Sequence, residues 1–438
     1  MLTPVDLNED FNAFLGDLIR DQATFLVHCV RLVQGLYDDP VQITLIGHSM
    51  GGIVARLAMT MGLDDAVDVL LTMSTPHLVP PATMDPQIEA IYREIRGSIS
   101  PALLSVCGGV ADTQIASDAC ALDLNPSEGF TIFTTGMPGV WTGVDHQAMV
   151  WCHQVRSKIA RVLLEMTRDR SKSERIATAS KWLLPGVRLT GSAEQPHRIH
   201  TIKGPTTFLT RQPPGSLELC EAGDCSPIED YKLEQIPLLR PGRPFPIPGE
   251  GIQASDIGYA LTMNVTGSVR LRCEGEDIAH GQSVTITSLT NEWIAPGPAV
   301  HYQVYFPDIR VSSLFAYRVE IEAVSCPDDV PLIKHSSLSN SNVYESRFFP
   351  ADAPAILFHS HTGSAPFSSL HSRGLLVDIY QLAECGVRRV TIRREYWRSL
   401  AKAVSRYRMG VIAWTMGWST AIAAVQQEGF DFSEHMRE

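Results

Sequence analysis

The most constraining stretch of the chain is Val41-Gln-Ile-Thr-Leu-Ile46, followed at once by Gly47-His-Ser49-Met-Gly51 and an apolar-patterned run from Ile53 to Met61. The first run is too short for a helix and rich in β-branched residues, so it reads as a buried strand. Glycines two before and two after Ser49 let a strand and a helix meet around a tight turn, the G-x-S-x-G elbow that holds a serine hydroxyl at the end of a parallel sheet. The flanking strand and helix that such an elbow requires are both present. The same alternation then continues, with strands at Val67–Met73, Ala102–Cys107 and Phe130–Thr135 and helices at Pro86–Arg96 and Gln147–Met166. Strands separated by helices dictate a parallel sheet with helices packed on its faces.

Ahead of the elbow, apolar residues from Phe11 to Leu36 recur at three- and four-residue steps, the pattern of an amphipathic helix. Beyond about Arg168 the texture changes to short alternating runs such as Ser283-Val-Thr-Ile-Thr and Val300-His-Tyr-Gln-Val-Tyr-Phe, which favours antiparallel sheets. The expected organisation is an α/β portion over residues 1–168, a β-sandwich-like region over 180–395 and a C-terminal segment over 400–438. Within that last segment Met409–Val425 is uncharged and about 26 Å long as a helix, a short candidate for a membrane span. Arg393, Arg394, Arg398, Lys402, Arg406 and Arg408 precede it, a basic flank of the kind that favours a cytosolic side.

The chain of 438 residues carries 36 Lys plus Arg against 48 Asp plus Glu, for a net charge of −12, so no broad basic face is available for nucleic acid. Its 9 cysteines form neither a zinc-binding comb nor a dense disulfide framework, and no metal or organic cofactor is implied. Cys220 and Cys225 are spaced to close a small disulfide loop in an oxidising compartment. The opening residues carry acid where a secretory signal would need a basic and then an apolar stretch.

A serine hydroxyl attacks acyl carbon only when an imidazole takes its proton and an acid holds that imidazole in the right tautomer. In an elbow fold the order along the chain is serine, acid, histidine. His146, after the last candidate strand and before the closing helix, is the best base. His28, His48, His77 and His153 fit packing, turn or surface roles better. Asp112 follows the strand ending at Cys107 through Gly108-Gly109 and is the leading acid, with Asp145, Asp118 and Asp123 as alternatives. The backbone N–H of Met50 is the expected oxyanion donor. Met137-Pro-Gly-Val-Trp141 precedes the histidine and is a candidate lining for an acyl pocket.

Residues 1 to about 168 resemble the GPI inositol-deacylase family of endoplasmic-reticulum lipases. The resemblance rests on Val5-Asp-Leu-Asn-Glu, Leu45-Ile-Gly-His-Ser-Met-Gly-Gly-Ile-Val-Ala-Arg56, Ser74-Thr-Pro-His77, Gly108-Gly109 leading to Asp112, and Val144-Asp-His146 ending in Val150-Trp-Cys152. It implies Ser49, Asp112 and His146 as nucleophile, acid and base. It also implies removal of the acyl chain from the inositol of GPI-anchored proteins at the endoplasmic-reticulum membrane, with the catalytic part luminal. Only one helix precedes the elbow strand, whereas the fold normally places several strands there, so the sequence reads as a partial α/β-hydrolase lacking its early strands, from a truncated chain. A general lipase or phospholipase, and a non-catalytic remnant whose β region binds glycan or protein, are the alternative readings.

Overall fold

The computed structural model describes residues 3–435, other than 9–11, 40, 83, 98, 123–124, 126, 170, 190–195, 222, 240–244, 246–252, 275–276, 310–311, 325–329, 338–341, 353–354, 360–373 and 383–385. The first half alternates helix and strand: α1 (Gly16–Gln34), β1 (Ile43–His48), α2 (Met50–Ala58), β2 (Val67–Met73), α3 (Pro86–Glu94), β3 (Ala102–Cys107) and β4 (Gly129–Phe133). It closes with α4 (Ala148–Trp151), α5 (His153–Met166) and α6 (Lys172–Leu183). Helix α1 turns Ile19, Ala23, Leu26 and Val30, spaced three or four apart, onto Ile53, Val54 and Leu57 of α2. Asp85 caps α3 by accepting from the Gln87 N–H at 2.9 Å, and its other oxygen accepts from the Gly16 N–H at 2.7 Å, tying the starts of two helices together.

β1, β2, β3 and β4 run parallel in that order, with apolar cores on both faces of the sheet. Among the described residues β1, which carries the elbow, is an edge strand. The other edge is extended by β15 (Val343–Tyr344), a short parallel strand supplied by the β-rich region. The Thr131 N–H donates to the Asn342 carbonyl at 2.8 Å, and Asn342 Nδ2 donates to the Gly129 carbonyl at 2.7 Å. The α/β layers also run past residue 168. α6 opens with a capping box of Ser171 and Glu174, and its Ala179 and Leu183 join Val155 and Ile159 in the core under the sheet. The single closing helix expected from Gln147 to Met166 is two helices, interrupted at Cys152, whose ψ of 120° is extended.

The β-rich region contains β5 (His197–Thr210), β6 (Ser216–Glu221), β7 (Asp224–Pro227), β8 (Tyr231–Pro237), β9 (Ile257–Arg272), β10 (Asp277–Thr287), β11 (Glu292–Ile294), β12 (His301–Phe306), β13 (Ala316–Ala323) and β14 (Leu332–Ser337). After β15 come β16 (Ser346–Pro350), β17 (Ala355–His359), β18 (Leu375–Tyr380) and β19 (Val387–Arg394). One sheet has the order β16-β14-β18-β12-β10-β5-β9-β6-β7, with β8 also on β9; the other has the order β11-β19-β13-β17. All pairs are antiparallel except β10 with β12, whose connection passes through β11 in the other sheet and so brings the chain back in the same direction. Tyr302, Val304 and Ile379 face Tyr317, Val390 and Ile392 across one core, the sandwich expected from the alternating runs. The large sheet curls, because Lys334 Nζ of β14 donates to Glu234 of β8 at 2.7 Å although the two strands are far apart in strand order.

The chain ends in α7 (Tyr396–His435), which contains Met409–Val425. Among the described residues no helix is long and apolar enough to cross a membrane, the candidate span at 409–425 included. Thr415, Gly417, Ser419 and Thr420 dilute its apolar residues, whereas a span of that length needs an almost unbroken apolar run.

Candidate active site

Ser49 stands between β1 and α2 with φ 53° and ψ −131°, a backbone region that costs a non-glycine residue about 1 kcal/mol or more and that persists only where packing enforces it. Two glycines supply that enforcement. A Cβ on Gly47 would lie 2.6 Å from the Gly52 Cα, and one on Gly52 would lie 2.2 Å from Thr75 Oγ1. Gly51, the second glycine of the sequence motif, faces open space instead, so the close approach depends on Gly52. The Ser49 N–H donates to the Met73 carbonyl of β2 at 3.0 Å, which fixes the elbow against the neighbouring strand.

Three residues well separated along the chain meet at this corner. The ring of His146 has Nε2 2.9 Å from Ser49 Oγ and Nδ1 2.8 Å from Asp112 Oδ2. A neutral imidazole that donates Nδ1–H to the carboxylate leaves Nε2 free to accept from the serine hydroxyl. Asp112 and His146 are both buried. Asp112 is set by its own loop, since Oδ1 accepts from the N–H groups of Gln114 at 3.0 Å and Ile115 at 3.1 Å. A disulfide between Cys107 and Cys120 closes that loop around Asp112. His146 is placed by a second close approach, in which the Val144 N–H donates to the Gly108 carbonyl at 3.1 Å and a Cβ on Gly108 would come within 2.1 Å of the Val144 carbonyl oxygen.

His48, read from the sequence as a turn residue, sits against the site. Its Nε2 donates to the His146 carbonyl at 2.9 Å, and the two rings are 4.8 Å apart. Burial, partly opposed by that hydrogen bond, lowers its pKa, which favours a neutral ring beside His146. Met50 is the first residue of α2, a position whose N–H has no acceptor within the helix.

The other candidates lie apart. Asp145 is exposed and accepts from the Gln147 N–H, Asp118 pairs with Arg406 at 2.8 Å, and Asp123 is outside the described residues. His77 is buried, accepting from Arg56 and bonded to Thr72, which is a packing role. His28 is exposed on α1, and His153, also exposed, lies within hydrogen-bond distance of Ser157 on its own helix. Trp141 is buried against Phe348 of β16 and joins the two halves of the molecule rather than lining an open acyl pocket. Among the described residues no cluster of His, Cys, Asp and Glu could hold a metal ion.

Residues 3–166 match the family described as the PGAP1-like alpha/beta domain. That stretch is similar to the PGAP1-like family. A GPI inositol-deacylase of Cryptococcus neoformans is 35% identical over 463 residues, an alignment covering 97% of this chain and 52% of the relative. A GPI inositol-deacylase of Aspergillus oryzae is 31% identical over 323 residues, covering 65% of this chain and 28% of its own. GPI inositol-deacylase A of Yarrowia lipolytica is 36% identical over 204 residues, 42% of this chain and 19% of the relative. The resemblance drawn from the elbow, Thr-Pro-His and Asp-His stretches is borne out by these matches. The chain spans about half the length of the Cryptococcus relative, and the PGAP1-like match covers the part of the molecule that holds Ser49, Asp112 and His146.

Proposed function

We propose that the protein is a serine carboxylic-ester hydrolase that removes the acyl chain from the inositol of GPI anchors. The single observation that carries the reading is the hydrogen-bonded row from Ser49 Oγ through His146 to Asp112. In this scheme Ser49 Oγ attacks the acyl carbonyl carbon while its proton passes to His146 Nε2. Asp112 keeps Nδ1 protonated and stabilises the imidazolium, and the Met50 N–H holds the developing oxyanion. As the ester bond to inositol breaks, His146 returns the proton to the inositol oxygen. Water, deprotonated by the same nitrogen, then releases the fatty acid from Ser49. No step calls for a metal or an organic cofactor.

The substrate assignment draws on the names of the relatives, and it brings GPI-anchored proteins and the endoplasmic-reticulum membrane with it as partner and place. A luminal catalytic part is supported by the two disulfides, Cys107–Cys120 and Cys220–Cys225, which persist in oxidising compartments. In this reading residues 1–168 carry the chemistry and 180–395 form the β-rich luminal region.

The test is release of fatty acid from an acylated inositol phospholipid by the purified chain. Ser49→Ala should lower the rate by about 10⁴-fold or more. Equal turnover of simple triglycerides would favour a general lipase, and an active Ser49→Ala protein would overturn the mechanism.

A further inference from the structure

A cavity of about 320 Å³, at the small end of ligand-binding pockets, lies where the first turns of α7 pass over the loop that follows β3 and carries Asp112. Arg398, Lys402, Ser405 and Met409 recur at three- and four-residue steps, with Arg406 beside them, so one face of the helix lines the cavity from above. The loop supplies Asp112 and Asp118 from below.

The charges across this seam do not cancel. Asp112 is occupied by His146 and two backbone amides, and Asp118 by Arg406 at 2.8 Å. Arg408 donates to the carbonyls of Thr113 at 2.9 Å and Gln114 at 2.8 Å rather than to a carboxylate. Among the described residues neither Lys402 nor Arg398 is within ion-pair distance of a carboxylate, although the charges of Glu345 and Asp118 reach Lys402 from further off. Behind Lys402 lies the buried Arg347, whose nearest carboxylate oxygen, from Glu345, is 3.7 Å away and whose Nε and Nη2 make no hydrogen bond. Burial first, and then the charge of Arg347, push the Lys402 ammonium down to about 8 against the opposing pull of Glu345 and Asp118. A cationic site with donors left over is costly when empty and favourable when an anion supplies acceptors.

We infer that this cavity binds a phosphate group, held by Lys402 and Arg398 on α7. A phosphate fits better than a carboxylate, because its tetrahedral oxygens can accept from Lys402, Arg398 and the Ser405 hydroxyl from different directions at once. The ligand is a phosphate ester, and either a membrane phosphoinositide headgroup or a soluble phosphate meets that chemistry. The site does not depend on the esterase reading, since binding is measured without turnover.

The experiment uses the full chain and two probes: inorganic phosphate by calorimetric titration, and co-sedimentation with phosphatidylcholine vesicles with and without phosphatidylinositol. Binding of either probe should fall about tenfold or more in Lys402→Gln and in Arg398→Gln, and Lys402→Arg should retain it. Arg398 is exposed, so its variant carries the test if Lys402→Gln disturbs folding. Binding to phosphatidylinositol vesicles without binding of free phosphate assigns the site to a lipid headgroup, and binding of both assigns it to phosphate in general. Failure of both probes to bind overturns the inference. So does an equal loss in Arg388→Gln, an exposed arginine on β19 away from the cavity, because the attraction would then be one of bulk charge.

Discussion

Replacing Asp112 by Asn separates holding the base from charging it. In the parent, Asp112 Oδ1 faces two backbone N–H groups and Oδ2 faces His146 Nδ1. The side-chain amide of Asn has one acceptor and one donor end. Turning its NH₂ toward Gln114 and Ile115 would leave one part-buried and one buried donor unpaired, at up to about 1–3 kcal/mol each. The amide oxygen therefore takes the Oδ1 position, and its NH₂ points at His146 Nδ1. That nitrogen must then accept, the ring proton moves to Nε2, and the nitrogen 2.9 Å from Ser49 Oγ can no longer take the serine proton. A wrong tautomer with intact geometry lowers kcat by about 10⁴-fold in the serine-protease precedent, equivalent to about 5 kcal/mol of barrier. Both loop hydrogen bonds survive, so the unfolding free energy should change by only about 1 kcal/mol. Asp112→Ala should lose activity too, but with an added loss of about 2–5 kcal/mol of stability from the two stranded amides. The assays are initial rates of fatty-acid release and urea unfolding of the same preparations. If Asp112→Asn stays within tenfold of the parent rate, Asp112 does not fix the tautomer of His146, and the catalytic row is wrong.

Gly52→Ala should destabilise the fold by about 1–3 kcal/mol, because its methyl would overlap the fully buried Thr75, whereas Gly51→Ala should be tolerated; urea midpoints compare the two. Replacing Cys107 and Cys120 by Ala should cost about 3 kcal/mol through the lost loop closure and lower kcat more than it raises KM, since the loop holds Asp112 rather than substrate. In the β-rich region burial works against the Asp378 carboxylate, but its hydrogen bond to His301 and the positive charges of Lys334 and Lys232 outweigh that and hold it well below the usual carboxylate range. Its contribution is therefore present above about pH 4, the ordinary carboxylate value, and is lost as pH falls below that toward the folded pKa. Urea unfolding at a series of acidic pH values should show this slope in the parent and a flatter one in Asp378→Asn.

The legible parts of the molecule were those set by local patterns. The Val41–Ile46 run, the Ser49 elbow, the three following strands and the serine, acid, histidine order all depend on residues near one another along the chain. The rest was fixed by partners distant in the sequence. Spacing favoured Gly51 as the tight glycine, but the tight position is Gly52, because Thr75 of the next crossover fills the space beside it. Nothing local marks Cys107 and Cys120 as partners, since the loop between them must first fold back through its short helical turns. Residues Val343–Tyr344 carry too little pattern to announce a strand, and only the open edge of β4 gives them one to join. Met409–Val425 is free of charge and so drew attention as a span, yet absence of charge is a weaker requirement than continuous apolarity.

The strand borrowed from residues 343–344 imposes an order on biosynthesis. β4 leaves the ribosome about 200 residues before its outer neighbour exists, an interval of roughly 10 to 40 s at ordinary elongation rates. For that time the nascent α/β half has an unfinished flank, the kind of bare edge that recruits stray strands. Completion of this half waits on the later half, so a ribosome stalled before Val343 would release a polypeptide whose first sheet had not yet been closed.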